Sequence, residues 1–377
     1  MKFLHTADWH IGRKLNGFSL LEEQKDVFEK LMTVAKDEKV EAIVIAGDLY
    51  DRSIPSVEAV SLFNDMMIEM NIRANFPVLA ISGNHDSATR LDTASPWLKA
   101  QNFHLHTKLE QAMTPIVINN TQFYLLPYFE PFHARQYFGD DSLRNIQTCM
   151  ALVLKEMEKT FDSDKKQVLV SHFFAAGSTK SDSETPLEVG GLDSIPLDML
   201  EAFDYVALGH LHYKGAIKEN GNVQYSGSLL KYSLSEEHQE KGIRIVELQD
   251  ESVENQFIPL KPQRDVRQIT GSFKELTSPE YYEKINREDY VAISLTDTAI
   301  IFNALNELRQ IYPNLISLDR VVKETKQEKV SEKEEELIQL KPEVLLKNYF
   351  EEVSSSSLTK RQEAWLEEAI IQNSLEK

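Results

Sequence analysis

The stretch VEAIVIAGDLYD, residues 40–51, decides how the rest of the chain is read. Ala42 to Ala46 is a short apolar run, mostly β-branched, of the kind that forms a strand buried on both faces. It ends in Gly47-Asp48, so Asp48 stands at the strand's carboxyl mouth, where open α/β sheets bind ligands in the crevice beyond their strands. Gly47 gives the backbone room to turn just before the carboxylate. Taken alone, an Asp after a Gly is ordinary turn or cap chemistry. The other strand ends decide between the two.

Lys2 to Ala7 predicts a strand that delivers Asp8-Trp9-His10, and alternate residues of an extended segment point the same way. Leu20 to Lys36 has apolar residues at helical spacing, which completes a βαβ unit with the Asp48 strand. A second helix starts at Pro55-Ser56, with Val57, Val60, Phe63, Met67 and Met70 as the stripe expected to pack on the sheet. Pro77 to Ser82 predicts the next strand, ending in Gly83-Asn84-His85-Asp86. Phe103 to Pro127 reads as hairpin strands turning at Asn119-Asn120. Leu143 to Phe161 reads as a helix, Gln167 to Ser171 as a strand that ends on His172, and Gly177 to Ile195 as a loop near the site. Tyr205 to Leu208 predicts a strand ending in Gly209-His210-Leu211-His212. A hairpin is expected over Gly215 to Gly227, with further strands over Gly242 to Pro259; the second layer of a sandwich is the natural place for both.

Composition sets limits on this reading. A chain of 377 residues, 42% hydrophobic and 27% charged, has room for two domains and an appendage. With Lys+Arg 41 against Asp+Glu 60 the net charge is −19, which repels nucleic acid unless metal, local basic groups or a partner offsets it. Cys149 is the only cysteine, which excludes an internal disulfide or a Cys-based zinc site and suits a reducing compartment. The N-terminal residues have no apolar stretch of signal-peptide length and no run of eighteen apolar residues occurs, so a cytoplasmic protein that does not contact a membrane is expected.

After Arg264 the pattern changes to strand (Val266 to Phe273), strand (Tyr290 to Leu295) and helix (Ala299 to Tyr312), a small α+β unit. Val321 to Gln339 is rich in Glu and Lys. Pro342 to Val353 and Thr359 to Ile371 then read as two short amphipathic helices whose apolar residues, among them Tyr349, Phe350 and Trp365, need a docking partner. The expected divisions are residues 1–262, 263–320, 321–340 and 341–377: catalytic domain, capping domain, charged linker and helical partner-binding segment.

Five strand ends thus carry Asp8 and His10, Asp48, Asn84 and His85, His172, and His210 and His212. Five of the ten histidines fall at these mouths, interleaved with two Asp and one Asn, which turn preference alone does not produce. The ligand count suffices for two ions. Imidazole and carboxylate donors without thiolate suit Mn²⁺, Fe²⁺ or Zn²⁺ better than Mg²⁺ or Ca²⁺. Asp48 is the best candidate to bridge two ions, about 3.5–4 Å apart in two-metal phosphoryl chemistry. His85 adjoins a proposed ligand and is left to handle protons or developing charge. Arg13, Lys14, Arg52, Arg90 and Lys231 lie in or near these loops and are candidates to grip phosphates, although solvated surface is the ordinary fate of any one of them.

The pattern D-x-H, G-D, G-N-H-D, H and G-H-x-H resembles the signature of the calcineurin-like metallophosphoesterases. More narrowly, LHTADWHIGR (4–13), AGDLYDRSIPS (46–56), SGNHDS (82–87), LGHLHY (208–213) and YSGSLLKYSLSE (225–236) resemble the nuclease D subunits of bacterial SbcCD complexes. Those are similar to the archaeal and eukaryotic meiotic-recombination nucleases. The resemblance implies a two-sheet α/β sandwich with a small α+β capping domain and a C-terminal helical hairpin. It implies that Asp8, His10, Asp48 and His212 hold one ion, that Asp48, Asn84, His172 and His210 hold the second, and that His85 is the catalytic histidine. It also implies two Mn²⁺ per chain, with Mg²⁺ or another divalent ion able to replace them. The activities implied are double-strand 3′ to 5′ exonuclease and single-strand or hairpin endonuclease, in DNA repair and recombination. The partners implied are DNA ends and hairpins, a coiled-coil ATPase bound by the C-terminal hairpin, and a second copy of the chain within a heterotetramer. One position departs: where archaeal and eukaryotic relatives have a histidine after the Gly-Asp motif, this chain has Asp51. A phosphatase or cyclic-nucleotide phosphodiesterase would use the same metal core, but phosphatases of the superfamily show Gly-Asn-His-Glu where Asp86 stands here. A non-catalytic scaffold would have no need of all eight metal and proton groups.

Overall fold

The computed structural model of the chain describes residues 1–93, 95–175, 178, 194–217, 221–299, 301–321, 359, 361–363 and 365–366. The strands that matter here are, in chain order, β1 (Lys2–Thr6), β2 (Ala42–Ala46), β3 (Val78–Ile81), β4 (Phe103–His106), β5 (Ile116–Ile118), β6 (Thr121–Leu126), β7 (Lys166–His172), β8 (Tyr205–Gly209), β9 (Val223–Tyr225), β10 (Gly242–Leu248), β11 (Val253–Pro259), β12 (Val266–Gly271), β13 (Tyr290–Leu295) and β14 (Leu315–Arg320). The helices are α1 (Leu21–Asp37), α2 (Val57–Met67), α3 (Pro131–Phe138), α4 (Ile146–Glu158) and α5 (Ala304–Ile311).

Two sheets face each other. The first runs β11-β10-β1-β2-β3-β4 and the second β9-β8-β7-β6-β5. Alternate residues of each strand divide between two cores, as a pleated strand demands. Phe3, Val44, Leu79, Phe123, Val168, Val170 and Tyr205 fill the space between the sheets. Leu4, Ile43, Ile45 and Val78 turn outward under α1 and α2, while Leu169, Val206 and Leu208 turn outward under α4. Because both faces of β2 are covered, every residue of AIVIA is buried. Each such large side chain contributes roughly 1.5–3 kcal/mol. The result is the two-sheet α/β sandwich of the calcineurin-like type.

Helix boundaries follow local chemistry. Ser56 caps α2 by accepting from Ala59 N at 3.2 Å, and Asn145 caps α4 by accepting from the backbone of Gln147 and Thr148. α1 has no side-chain cap but places Glu22 and Glu23 in its first turn and Lys36 in its last, which suits the helix dipole.

Several expectations need correction. β4 is not part of a hairpin with the strands that follow; it pairs in parallel with β3 in the first sheet, while β5 and β6 form the hairpin at Asn119-Asn120. β9 is parallel to β8, so Gly215 to Gly227 is not a hairpin, and β9 does join the second sheet. β10 and β11 belong instead to the first sheet, where β10 lies antiparallel to β1. On α2, Val57 and Val60 face solvent; Ala59, Phe63, Met66 and Met67 form the buried stripe, followed by Met70 in the succeeding π turn. Val57 and Val60 fit the same period offset by one position, which spacing alone does not distinguish.

β12, β13 and β14 make a parallel three-stranded sheet with its own core around Val291, Ile293, Leu308 and Tyr312, and β14 is an addition to the elements expected from the sequence. Arg264 Nε ties this unit to α1 by donating to buried Glu23 at 2.5 Å, and the Tyr290 ring meets Phe18, just before α1, edge-on. Met1 to Arg320 forms one compact unit and Val321 to Lys377 another. Most of the expected loop at Gly177 to Ile195, all but the first residue of the linker and most of the C-terminal hairpin lie outside the described residues. Among the described residues no helix is long and apolar enough to cross a membrane.

Candidate metal centre

The five mouths come from two sheets. β1, β2 and β3 end in Asp8/His10, Asp48 and Asn84/His85; β7 and β8 end in His172 and His210/His212; the facing sheets bring both sets to one edge. Backbone bonds lock the loops together: Asp8 N donates to Gly47 O, His10 N to Asp48 O and Ile11 N to Leu49 O, at 2.9–3.1 Å. The strand pairing of β1 with β2 is thereby continued into the loops that carry the functional groups.

At the centre, Asp48 Oδ2 lies 3.5 Å from His10 Nε2 and 3.3 Å from His172 Nε2, and Asp48 Oδ1 accepts from His85 N at 3.0 Å. On one side of Asp48, His10 Nε2 faces His212 Nε2 at 3.1 Å, and Asp8, His10 and His212 offer donor atoms within 4.8 Å of one another. On the other side, Asn84 Oδ1 is 3.0 Å from His172 Nε2 and 3.1 Å from His210 Nδ1. Asp8 Oδ1 accepts from the His210 backbone at 2.9 Å. All eight residues singled out from the sequence therefore meet in one place.

Holding them there strains the chain. Asp8, His10, Asp48 and His210 have φ of 53°, 44°, 51° and 96°, a left-handed region that costs non-glycine residues of order 1–3 kcal/mol each. Two glycines permit the close approach. A Cβ on Gly47 would lie 2.4 Å from His172 Nδ1, and one on Gly83 would lie 2.1 Å from Asp48 Oδ1. Gly83→Ala should lower Mn²⁺ affinity at least tenfold with unchanged circular dichroism. Calorimetry checks this; wild-type affinity would mean that the close approach at Gly83 does not fix Asp48.

The donor set fits divalent cations. Asp8 Oδ2 is buried without a hydrogen-bond partner, the kind of orphan that costs about 1–3 kcal/mol unless something coordinates it. Burial lifts Asp8 to about 6 against the pull of His172 and His212. Burial alone would lower His172, but Asp48 and then Asp8 raise it to about 9. The carboxylates thus demand positive charge at this point. His10, by contrast, is held well below its usual range by burial, against Asp48, and so is a neutral imidazole of the form that ligates metals.

The support around these groups is not apparent from the sequence. Gln24 on α1 donates to Trp9 O and His10 O and accepts from Gly12 N, fixing the Asp8-Trp9-His10 turn. The Asp86 carboxylate accepts from Leu49 N, Tyr50 N and Gly83 N, so it clamps the Asp48 loop to the Asn84 loop. Glu236, fully buried, lies 3.5 Å from His212 Nδ1 and 2.7 Å from Lys241 Nζ. Burial would raise the Glu236 carboxyl, but Lys241 and His212 hold it below the usual range. Such a carboxylate fixes the tautomer of the histidine it faces. A single Gln or Glu within a helix or loop gives no local sign of such a role.

The basic candidates divide. Arg13 Nη1 pairs with Asp51 at 2.9 Å and the guanidinium lies over the Tyr232 ring, beside the centre; Lys231 pairs with Asp265 at 3.0 Å; Lys14, Arg52 and Arg90 are exposed.

A sandwich whose strand mouths converge on paired carboxylates and imidazoles defines a metallophosphoesterase, and the chain belongs to the calcineurin-like phosphoesterase family, whose profile matches residues 1–214. This fold carries a dinuclear divalent-metal centre for phosphoester hydrolysis. More particularly, the chain is 38% identical over 323 residues to the D subunit of the SbcCD nuclease of Staphylococcus epidermidis, covering 85% of this chain and 86% of that one. It is 36% identical over 368 residues to the same subunit of Staphylococcus saprophyticus, covering 97% of both. Residues 262–354 match the family described as the Type 5 capsule protein repressor C-terminal domain. A solved dimetal phosphatase from Danio rerio is 14% identical with a TM-score of 0.42, covering 69% of this chain and 99% of that one.

Proposed function

We propose that the chain is the DNA nuclease subunit of an SbcCD-type complex, a Mn²⁺-dependent phosphodiesterase acting as double-strand 3′ to 5′ exonuclease and as single-strand or hairpin endonuclease. The observation that carries this reading is the convergence on Asp48, in a chain related to named SbcCD nuclease subunits over nearly its whole length. Asp8, His10, Asp48 and His212 would hold one ion, and Asp48, Asn84, His172 and His210 the other. When bound, such ions polarise a phosphodiester oxygen and lower the pKa of water towards neutrality. Asp48 keeps the two groups of ligands in register. Glu236 and Gln24 orient His212 and the His10 loop. His85 Nδ1 bonds to Asp51 O at 3.0 Å, so its Nε2 is the nitrogen that passes a proton to the leaving oxygen. Arg13, held by Asp51 and Tyr232, is placed to meet a substrate phosphate.

Homodimerisation is supported by exposed apolar side chains on and around α2, namely Ile54, Val57, Val60, Ile68, Ile72 and Trp97. The division into catalytic (1–262), capping (263–320), linker (321–340) and partner-binding (341–377) parts is proposed on the same basis, with the last part binding the coiled-coil ATPase. In that part Trp365 is exposed, with the Arg361 guanidinium 5.0 Å from its ring.

One experiment tests the reading. Purified protein supplied with Mn²⁺ should release nucleotides from duplex DNA ends and leave phosphoprotein untouched. The opposite result assigns a phosphatase. Failure on both substrates with metal bound leaves a scaffold.

A further inference from the structure

Helix α3 begins at the rim of the centre. It follows β6, whose end lies beside that of β7 (Leu126 opposite Ser171), one residue before His172. In the short link, Tyr128 N donates to Ser82 O at 3.0 Å, and Ser82 directly precedes Gly83-Asn84-His85. Three extended residues reach about 10 Å and an eight-residue helix about 12 Å, so with the hydrogen bond all of α3 lies within about 25 Å of Ser82.

This helix buries Ala134 and half-buries Phe138, but presents Phe132 (54% exposed), His133, Gln136 and Tyr137 (40% exposed) to solvent. At i, i+1, i+4 and i+5 these four share one face. The face is braced. Arg135 lies 5.8 Å from the Phe132 ring and donates to Leu143 O, while His133 Nδ1 accepts from Glu130 N and its ring lies edge-on to Phe132. A chain of net charge −19 attracts a polyphosphate poorly. Stacking of bases on aromatic rings does not depend on net charge and is indifferent to sequence.

We propose that the exposed face of α3 is a stacking platform for unpaired bases of the substrate strand, within about seven nucleotides of the bond that is cut, at roughly 3.4 Å per stacked nucleotide. The proposal rests on the nuclease reading above. It gives a chain of strong net negative charge a means of gripping single-stranded or frayed ends.

The test compares wild type with Phe132→Ala/Tyr137→Ala, both surface positions, on two substrates: a single-stranded deoxyoligonucleotide and bis(p-nitrophenyl) phosphate. The double variant should show about a tenfold higher KM on the oligonucleotide, with hydrolysis of the small phosphodiester and Mn²⁺ affinity unchanged. The aromatic exchange Phe132→Tyr/Tyr137→Phe should restore the wild-type KM. An unchanged oligonucleotide KM overturns the platform. So does a double variant that cuts normally but no longer co-purifies with the coiled-coil ATPase, since the face is then a protein dock. A wild type that hydrolyses the small diester but cuts no oligonucleotide overturns the nuclease reading itself, and the platform with it.

Discussion

Asp48→Ala should remove both metal sites at once and reduce Mn²⁺-dependent phosphodiester cleavage by about 10⁴-fold or more. Asp48 stands between the two groups of ligands: its Oδ2 is within 3.5 Å of His10 and of His172, and its Oδ1 anchors the His85 backbone. A ligand that binds only the folded state stabilises it by about 2.7 kcal/mol at a hundred times its Kd. Mn²⁺ should therefore raise the melting temperature of the wild type by several degrees and leave that of Asp48→Ala where it is. Calorimetry should read two ions in the wild type and none in the variant. Retention of one tightly held ion would show that Asp48 is not shared.

The second large effect separates chemistry from ligation. His85→Ala should keep both ions and the Mn²⁺-induced rise in melting temperature, yet lose about 10²- to 10⁴-fold in turnover, the usual worth of a positioned general acid. His85 stands at the edge of the cluster, its ring 4.8 Å from that of His10. Its Nδ1 is committed to the Asp51 carbonyl. That bond comes from the backbone of residue 51, so the orientation of His85 does not depend on which side chain stands there. Loss of an ion in His85→Ala would make it a ligand, and full activity would remove it from the reaction.

Proton balance explains how the acidic surroundings are tolerated. Asp8 and Asp48 share a water-poor pocket, and His172 takes up the proton that partly offsets them, raised to about 9 by its carboxylate neighbours. Divalent cations do the same work more completely and release that proton, so metal loading of the wild type should acidify a weakly buffered solution.

Much of the site could be read locally. A β-branched run followed by Gly-Asp, or an apolar strand followed by Gly-Asn-His, is a statement about a few consecutive residues: the strand is short, buried and parallel, and the polar groups must emerge at its end. The helix start at Ser56 and the turn at Asn119-Asn120 are equally local. The positions that escaped are those whose role is set by something far away in the chain. Gln24 serves His10 from a neighbouring helix, and Glu236 serves His212 across 24 residues. Asp86 could be seen as a letter of a motif but not as the clamp between two loops.

By itself the sequence determined the secondary elements of the catalytic half and the identity of the groups at five strand mouths, because period-2 and period-3.6 patterns and turn residues act over a few residues. Only the tertiary structure decided which of those mouths belongs to which of the two sheets. It also decided that β4, β10 and β11 complete the first sheet, and that Val57 and Val60 look outward. Strand pairing is chosen by which faces can be buried together, often between segments far apart in the chain. A pleated strand carries the same alternation whichever neighbour it takes, so the partner is not written in the strand.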